Sequence, residues 1–183
     1  MNPESSTDTP HNPGSDREIP SQSCDTLTLL HGPEAFAKYL HRMLAGGRRY
    51  VDILSQQLDP ILFADSEVCS ALSALVRAHR QAEVRILVKD PKPLFGRHHA
   101  LLALQKRLTS KIKIRKLNIQ PQNENQGYVI VDQRQLLLQH HDGEFDGFSN
   151  TDAAPESKAL LEEFNLLWQL QSSEIAELRP LSL

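Results

Sequence analysis

The sequence is poor in aromatic residues and in cysteine. Phe, Trp and Tyr make up only 5% of the 183 residues, which leaves few flat side chains on which nucleic-acid bases stack. The two cysteines exclude a disulfide framework, because Cys24 lies in a polar N-terminal segment and Cys69 lies inside a predicted helix. This usage is typical of a reducing compartment, so we expect a cytoplasmic protein.

Long apolar runs are also missing. No stretch approaches the about 20 apolar residues of a membrane helix, so we predict no membrane insertion. The first 25 residues have neither a basic start nor an apolar core, so we expect that they are not a secretory signal peptide. Such a composition buries too little surface to offset the entropy of ordering. We therefore predict a disordered tail over residues 1–25 and a single domain over residues 26–183.

The charge is unevenly spread, although the net charge is only −3. Residues 77–116 contain twelve Lys or Arg and two acids, whereas residues 142–177 contain nine acids and one Lys. This asymmetry predicts either a charged partner surface or internal complementarity. The simpler alternative is that both regions form solvated faces of surface elements.

Hydrophobic periodicity predicts strands that alternate with helices. The predicted order is β-α-β-α-β-α-β-β-β-α, with the last two strands joined as a hairpin through Asp132, Gln133 and Arg134. Predicted strands cover residues 26–30, 49–55, 83–90, 111–117, 128–132 and 135–139. The expected fold class is α/β: a mixed, mostly parallel sheet flanked by helices, with an antiparallel hairpin added.

This arrangement resembles one half of the phospholipase D superfamily fold. The resemblance rests on the strand "YVIVD", its turn and return strand, the polar loop that follows, and a last helix that bears Phe and Trp. The superfamily places His-x-Lys-x(4)-Asp across the corresponding strand, with the His as covalent phosphate nucleophile and the Lys as a phosphate ligand. Two halves, from one chain or from a homodimer, normally build one site, so the resemblance implies a homodimer.

The superfamily motif is only partly present. Asp132 matches the motif Asp, but the nucleophile position falls on Asn125 and the Lys position on Gly127. An amide is not an imidazole nucleophile, and Gly carries no cation. A Gly-Ser pair expected after the strand falls on Gln139 and His140. We therefore predict a pseudoenzyme: a non-catalytic phospholipase D-like binding or scaffold domain.

Three longer segments carry a second resemblance. "YLHRMLAGGRRYVDILSQQLDP", "VRILVKD" and "FNLLWQLQ" are similar to a bacterial domain family of unknown function over residues 29–183. Members of that family are sometimes attached behind an N-acetyltransferase domain. The resemblance implies a bacterial setting and a possible protein partner, and it implies no established reaction. An accessory role beside an N-acetyltransferase is thus one alternative function.

A divergent phosphodiesterase or nuclease is the other alternative. His140 or His141, oriented by Asp142, would replace the missing nucleophile and form a phosphohistidine. A metal site would need a further ligand from His98 or His99, because adjacent histidines point in different directions. We interpret both pairs as surface histidines and predict no metal and no other cofactor.

Several cations and amides are candidate phosphate ligands. The candidates lie at or after the carboxyl ends of predicted strands, where open α/β sheets bind ligands, and they are Gln56, Gln57, Lys89, Lys92 and Arg97. Lys111, Lys113 and Arg115 share one face of a predicted basic strand, which favours contact with a phosphate-containing ligand or nucleic acid. Protection of a sheet edge is the preferred interpretation of that strand. The alternative role of Lys89 and Lys92 is to keep a Pro-rich loop soluble.

Overall fold

A computed structural model describes residues 26–95, 98–122 and 124–178. The predicted disordered tail over residues 1–25, with Cys24, lies outside the described residues. The same is true of Arg97, one of the candidate phosphate ligands. These two expectations therefore stay predictions.

One eight-stranded mixed sheet forms the centre of the described structure. Its strands are β1 (Leu27–His31), β2 (Tyr50–Ser55), β3 (Glu83–Val88), β4 (Ile112–Leu117), β5 (Gly127–Val131), β6 (Gln135–Gln139), β7 (Asp146–Asn150) and β8 (Ser172–Glu174). They lie side by side in the order β1-β7-β6-β5-β2-β3-β4-β8. The predicted hairpin of β5 and β6 is confirmed, with Asp132 and Gln133 in the left-handed region that its tight turn requires.

The predominance of parallel strands that we expected does not hold. Only β2, β3 and β4 run parallel to one another, whereas the other five pairings are antiparallel. The difference arises because two strands, β7 and β8, lie in segments that are too polar or too short to show the period-2 pattern of a strand. Both add antiparallel pairs to the sheet.

Helices cover both faces of the sheet. They are α1 (Pro33–Gly46), α2 (Pro60–Phe63), α3 (Ser66–Ala78), α4 (Ala100–Arg107) and α5 (Ala154–Leu170), with 3-10 turns at Lys92–Leu94 and Ala176–Leu178. Asp65 caps α3, since its carboxylate accepts the N–H of Glu67 and of Val68, each at 2.9 Å. None of the described helices is long and apolar enough to cross a membrane.

Alternating strand residues divide the core into two layers. Ile53 of β2 packs with α1, α3 and α4 on one face, whereas Leu54 packs with α5 on the other. Trp168 of α5 is buried against the sheet, as the apolar stripe of this helix predicts. Among the helices of the described residues, α5 alone covers its face, so side chains of the sheet complete that layer.

Arginines from residues 77–116 cover part of the sheet face that packs against α5. Arg85 donates to the buried Asp52 carboxylate at 2.6 Å and to Asn165 Oδ1 at 2.8 Å, and its guanidinium carbon lies 5.0 Å from the centre of the Phe164 ring. Such a cation over an aromatic face is attracted by the ring. Arg85 thus compensates the buried Asp52 charge, which lies outside the acidic residues 142–177.

Candidate functional site

The candidate site lies where four segments meet at one edge of the sheet. The carboxyl ends of the parallel strands β2 and β3 reach this edge, and the antiparallel strand β5 begins there, because Leu54 pairs with Tyr128 and Ser55 pairs with Val88. The β6–β7 loop folds over the same edge and is held there by a hydrogen bond from Asp142 N to Asn125 O of 2.7 Å. We call this place the carboxyl edge.

Lys89 lies in the middle of the carboxyl edge and is fully engaged within the protein. Its side chain is only 3% exposed, and Nζ lies 4.0 Å from Oδ2 of Asp142. The same ammonium donates to the carbonyls of Glu124 at 2.8 Å and Gln126 at 2.6 Å. Two of the three donors of the ammonium are therefore used by backbone carbonyls, and Asp142 lies at ion-pair distance. The expectation that Lys89 contacts a phosphate is therefore corrected: it fixes the segment before β5.

Asp142 is the second buried charge at this edge. Its side chain is 7% exposed. The carboxylate accepts the backbone N–H of Gln56 and the Ser55 hydroxyl, the latter at 3.3 Å. The Ser55 Oγ in turn accepts the N–H of Leu58 at 3.2 Å. These contacts join the β6–β7 loop to the end of β2.

Burial shifts the pKa values of Asp142 and Lys89 in opposite directions. Loss of solvent raises the pKa of the Asp142 carboxyl above its usual range, although the Gln56 amide, the Lys89 ammonium and the Ser55 hydroxyl act against that rise. The same desolvation lowers the pKa of the Lys89 amine, against the attraction of Asp142. Each group is thus shifted toward its neutral form.

Gly127 lies directly beneath the Asp142 carboxylate. A Cβ atom on this glycine would lie 2.8 Å from Cγ and 2.9 Å from Oδ2 of Asp142. Those distances are shorter than van der Waals contact, so any larger residue would displace the carboxylate. Gly127 is the position at which the phospholipase D motif has its lysine. In this chain a carboxylate from the opposite loop occupies the space that such a side chain would need.

The structure does not orient either candidate nucleophile with Asp142. His140 and His141 are both exposed, and Nδ1 of His141 lies 3.9 Å from Oε2 of Glu144. Within the described ranges, the Asp142 carboxylate has no hydrogen bond to either histidine. Our expectation that Asp142 orients His140 or His141 is therefore wrong, because its oxygens already hold β2 and Lys89.

A cavity of about 250 Å³ opens beside the buried pair. Gln56 and Gln57 line one side of it, and His98 and His99 line another. His99 is only 5% exposed, whereas we expected a surface residue. Its Nε2 lies 3.0 Å from the Leu58 carbonyl; because a carbonyl can only accept, Nε2 is the protonated nitrogen. His99 thus braces the loop that carries both glutamines.

Lys92 lies in a second groove, on the other side of Gln56. This groove has a volume of about 460 Å³ and contains Lys92, Lys116 and Gln120 among its lining residues. Both lysines are exposed. Within the part of the chain that the structure describes, neither ammonium has a carboxylate in ion-pair distance. Of the predicted phosphate ligands, Gln56, Gln57 and Lys92 therefore remain accessible at this edge.

Lys111, which precedes β4, and Lys113 and Arg115 of β4 lie elsewhere and have partners of their own. Lys113 pairs with Glu83 at 2.6 Å, and Lys111 donates to the carbonyls of His79 and Arg80. The Arg115 guanidinium lies 4.6 Å from the centre of the Trp168 ring and donates to the Trp168 carbonyl at 2.9 Å. Strand β8 also pairs with the end of β4. Arg115 is thus used in packing, whereas Lys113 stays exposed in its ion pair, so the ligand role of this strand face stays a prediction.

Asp132 has a structural role at the opposite edge of the sheet. Its carboxylate accepts the N–H of Arg48 at 2.7 Å, of Arg49 at 2.8 Å and of Tyr50 at 3.0 Å. It thereby joins the β5–β6 turn to the start of β2. Its role in holding three successive amides was not visible in the sequence, because it depends on a contact between distant segments.

No metal centre is evident at either edge. Among the residues that the structure describes, no three His, Cys, Asp or Glu side chains are grouped as metal ligands would be. The acidic side chains at the carboxyl edge are engaged with backbone amides or with Lys89.

The model of one protein family matches residues 32–181 of the chain. That family is described as Domain of unknown function (DUF7931). The chain belongs to the DUF7931 family. No curated protein matches the chain.

Solved structures show which fold this DUF7931 member has. It is similar to TrmBL2, an archaeal chromatin protein described as showing a novel mode of DNA binding, with a TM-score of 0.61 and 14% identity over 88% of this chain. The match spans 57% of that protein's length. NucT from Helicobacter pylori and the phospholipase D family member Nuc from Salmonella typhimurium both match at a TM-score of 0.58, over 81% of this chain and 97% of theirs, with 13% and 15% identity. The fold is therefore phospholipase D-like.

Proposed function

We propose that this DUF7931 member is a phospholipase D-like binding or scaffold domain that does not hydrolyse phosphodiesters. The observation that carries the proposal is the contact between Gly127 and the Asp142 carboxylate, which takes the place of the motif lysine. Asn125, at the nucleophile position, uses its carbonyl to hold the same loop. A site for phosphoryl transfer needs a nucleophile and cations directed at the phosphate. Among the described residues, Asn125 and Gly127 supply neither at the two motif positions.

The accessible polar groups at the carboxyl edge support binding instead. Gln56 and Gln57 present amides, which donate and accept hydrogen bonds but do not transfer protons. The cavity that they line measures about 250 Å³, close to the lower end of the size range for small-ligand pockets. Lys92 adds one accessible cation in the neighbouring groove. A small polar ligand, with or without a phosphate group, suits these residues.

The test of this function is hydrolysis of bis-p-nitrophenyl phosphate by the purified chain, with and without added divalent metal. We expect no release of p-nitrophenolate above a buffer blank. Turnover that disappears in the variants His140→Ala and His141→Ala would instead support the divergent phosphodiesterase, the second function that the sequence allowed. The exposed positions of both histidines and their separation from Asp142 argue against that outcome.

The proposal has further parts that rest on family resemblance. They are a bacterial cytoplasmic setting, a homodimer, a protein partner and an accessory role beside an N-acetyltransferase. Light scattering of the purified chain tests the homodimer, since a mass of one chain at micromolar concentration would overturn it. Pull-down with the tagged chain tests the partner, and recovery of no N-acetyltransferase would remove the accessory role.

A further inference from the structure

The edge of the sheet opposite the candidate site carries cations that the carboxyl edge does not use. Because β2, β3 and β4 run parallel, the segments that precede them meet at this edge, together with the β5–β6 turn. Arg48, Arg49 and Tyr50 come from the segment before β2, and His79 lies in the segment before β3. All four are exposed. With Asp132, they line a shallow cavity of about 470 Å³.

Hydrogen bonds hold the backbone that lines this cavity, whereas the charged ends of its arginines form no ion pair among the described residues. The Asp132 carboxylate holds the N–H groups of Arg48 and Arg49 at 2.7 and 2.8 Å. The Lys111 ammonium donates to the carbonyls of His79 and Arg80 and so fixes the second segment. None of the guanidinium groups of Arg48, Arg49 and Arg80 has a carboxylate in ion-pair distance within the described ranges. The arginines are therefore held in place by contacts that do not involve their charges.

The ends of two helices widen this basic surface. Helices α3 and α4 end at the same edge, with Arg77 in the last turn of α3 and Lys106 and Arg107 in the last turn of α4. Cations at helix C-termini are stabilised by the helix dipole, so these positions also have a local reason to be basic. All three are exposed. We define the amino-edge band as Arg48, Arg49, Arg77, Arg80, Lys106 and Arg107.

Carboxylates in the strands and turns of this edge do not neutralise the band. Glu83 is paired with Lys113 at 2.6 Å, and Asp152 is paired with Arg134 at 2.8 Å. Asp132 is left as a single negative charge, and its oxygens are occupied by backbone N–H groups. Of the basic residues in 77–116, Arg77, Arg80, Lys106 and Arg107 lie in the band, whereas Arg85, Lys89 and Arg115 are used in internal contacts.

We propose that the amino-edge band binds the phosphodiester backbone of a nucleic acid. Guanidinium groups match phosphate oxygens with two parallel hydrogen bonds. The band extends along β2, β3 and β4, which are neighbouring strands about 5 Å apart, so it suits a linear polyanion better than a single small anion. The exposed Tyr50 ring beside Arg49 offers a surface on which a base can stack.

A phospholipid membrane fits this surface less well. Binding at a membrane interface relies on apolar side chains that enter the lipid next to the cations. Of the large hydrophobic side chains that are exposed in the described structure, Tyr50 is the one that lies beside the band's arginines. The chemistry of the band is thus electrostatic, with almost no apolar component.

The test is fluorescence anisotropy of labelled oligonucleotides of about 20 nucleotides, as single-stranded DNA, single-stranded RNA and duplex DNA. Salt is varied from about 50 to about 200 mM, and binding by the wild-type chain should weaken steeply over this range. Arg48→Gln and Arg80→Gln should each weaken binding and reduce the slope of log K against log salt by about 1. Lys38→Gln removes the same charge from an exposed position in the middle of α1 and should leave the slope unchanged.

The proposal is overturned if none of the three oligonucleotides is bound at the lowest salt, or if Lys38→Gln has the same effect as the band variants. It is also overturned if the chain binds vesicles of anionic phospholipid and no oligonucleotide. A loss of binding in Arg48→Gln is not explained by unfolding, because Asp132 accepts the backbone N–H of Arg48, which the variant keeps. An unchanged melting temperature of the variant confirms this. The hydrolysis assay that tests the proposed function does not depend on the amino-edge band. A failure to bind oligonucleotides therefore leaves the proposed function intact.

Discussion

Nζ of Lys89 lies 4.0 Å from Oδ2 of Asp142, and both side chains are almost completely buried. The pair lies above Gly127, at the edge where phospholipase D-like folds place their motif lysine. These two charges hold three segments together, namely the end of β2, the start of β5 and the β6–β7 loop.

Replacing Lys89 tests this structural role. Lys89→Met leaves the Asp142 charge buried without its cation and removes the donor from the Glu124 and Gln126 carbonyls. We expect the free energy of unfolding in urea at neutral pH to fall by about 3 kcal/mol. Lys92→Met is the matched control, because Lys92 is exposed, and it should change stability by less than about 0.5 kcal/mol. Equal effects of the two changes would contradict a structural role for Lys89.

The raised pKa of Asp142 predicts a particular dependence of stability on pH. Because the folded chain keeps the Asp142 proton to higher pH than the unfolded chain, its contribution is fully present below the ordinary pKa of 3.8. That contribution is lost as pH rises through the raised folded pKa. Relative to Asp142→Asn, which mimics the protonated acid, the wild-type chain should therefore lose stability as pH increases from 3.8. Urea unfolding of both proteins across this range measures the difference. If instead the wild-type chain became more stable than Asp142→Asn as pH rises, Lys89 and Gln56 would hold the pKa of Asp142 below its ordinary value.

Adding a single methyl group at Gly127 tests the contact with Asp142. Gly127→Ala would place Cβ 2.8 Å from the Asp142 Cγ, so the β6–β7 loop must move. We expect a loss of about 1 to 3 kcal/mol. Gly46→Ala is the control, since a Cβ there meets nothing within 4 Å. Combining Gly127→Ala with Asp142→Ala should give a smaller loss than the sum of the two single changes; simple additivity would mean that the two residues do not interact.

Arg115 and Lys116 are neighbours on β4 with different surroundings. Comparing variants of the two distinguishes a role in packing from an effect of surface charge. Arg115 lies over the Trp168 ring and donates to its carbonyl, whereas Lys116 is exposed. Arg115→Gln should lower the free energy of unfolding by about 1 to 2 kcal/mol. Lys116→Gln removes the same charge and should have an effect below about 0.5 kcal/mol. If thermal or urea unfolding gives the reverse order, the basic face of β4 is not a packing surface.

The main elements of the fold were predictable because their patterns are local. The apolar stripe of α3, its Asp65 cap and the β5–β6 hairpin follow from residues close together in the chain. Strand β7 was not predicted, because "DGFSN" has two polar ends and a glycine, and it becomes a strand through its pairing with β1 and β6. Its absence from the prediction also explains why too many parallel pairs were expected.

The site was harder to predict than the fold, because its roles depend on distant contacts. Asn125 and Gly127 correctly indicated that the motif residues are missing, since motif spacing is a property of the sequence alone. The sequence cannot show that Asp142 fills the space above Gly127, or that Lys89 reaches two backbone carbonyls. Both residues were therefore assigned to a ligand or to catalysis, although the fold uses them internally.

Phosphodiester hydrolysis is the most direct measure of the central claim, that this domain has a phospholipase D-like fold without its chemistry. The measurement is the rate of p-nitrophenolate release from bis-p-nitrophenyl phosphate, compared with an active phosphodiesterase under the same conditions. We predict a rate equal to the buffer blank for the wild-type chain, with or without divalent metal. A rate above the blank that scales with protein concentration, and that falls in His140→Ala or His141→Ala, would contradict the account.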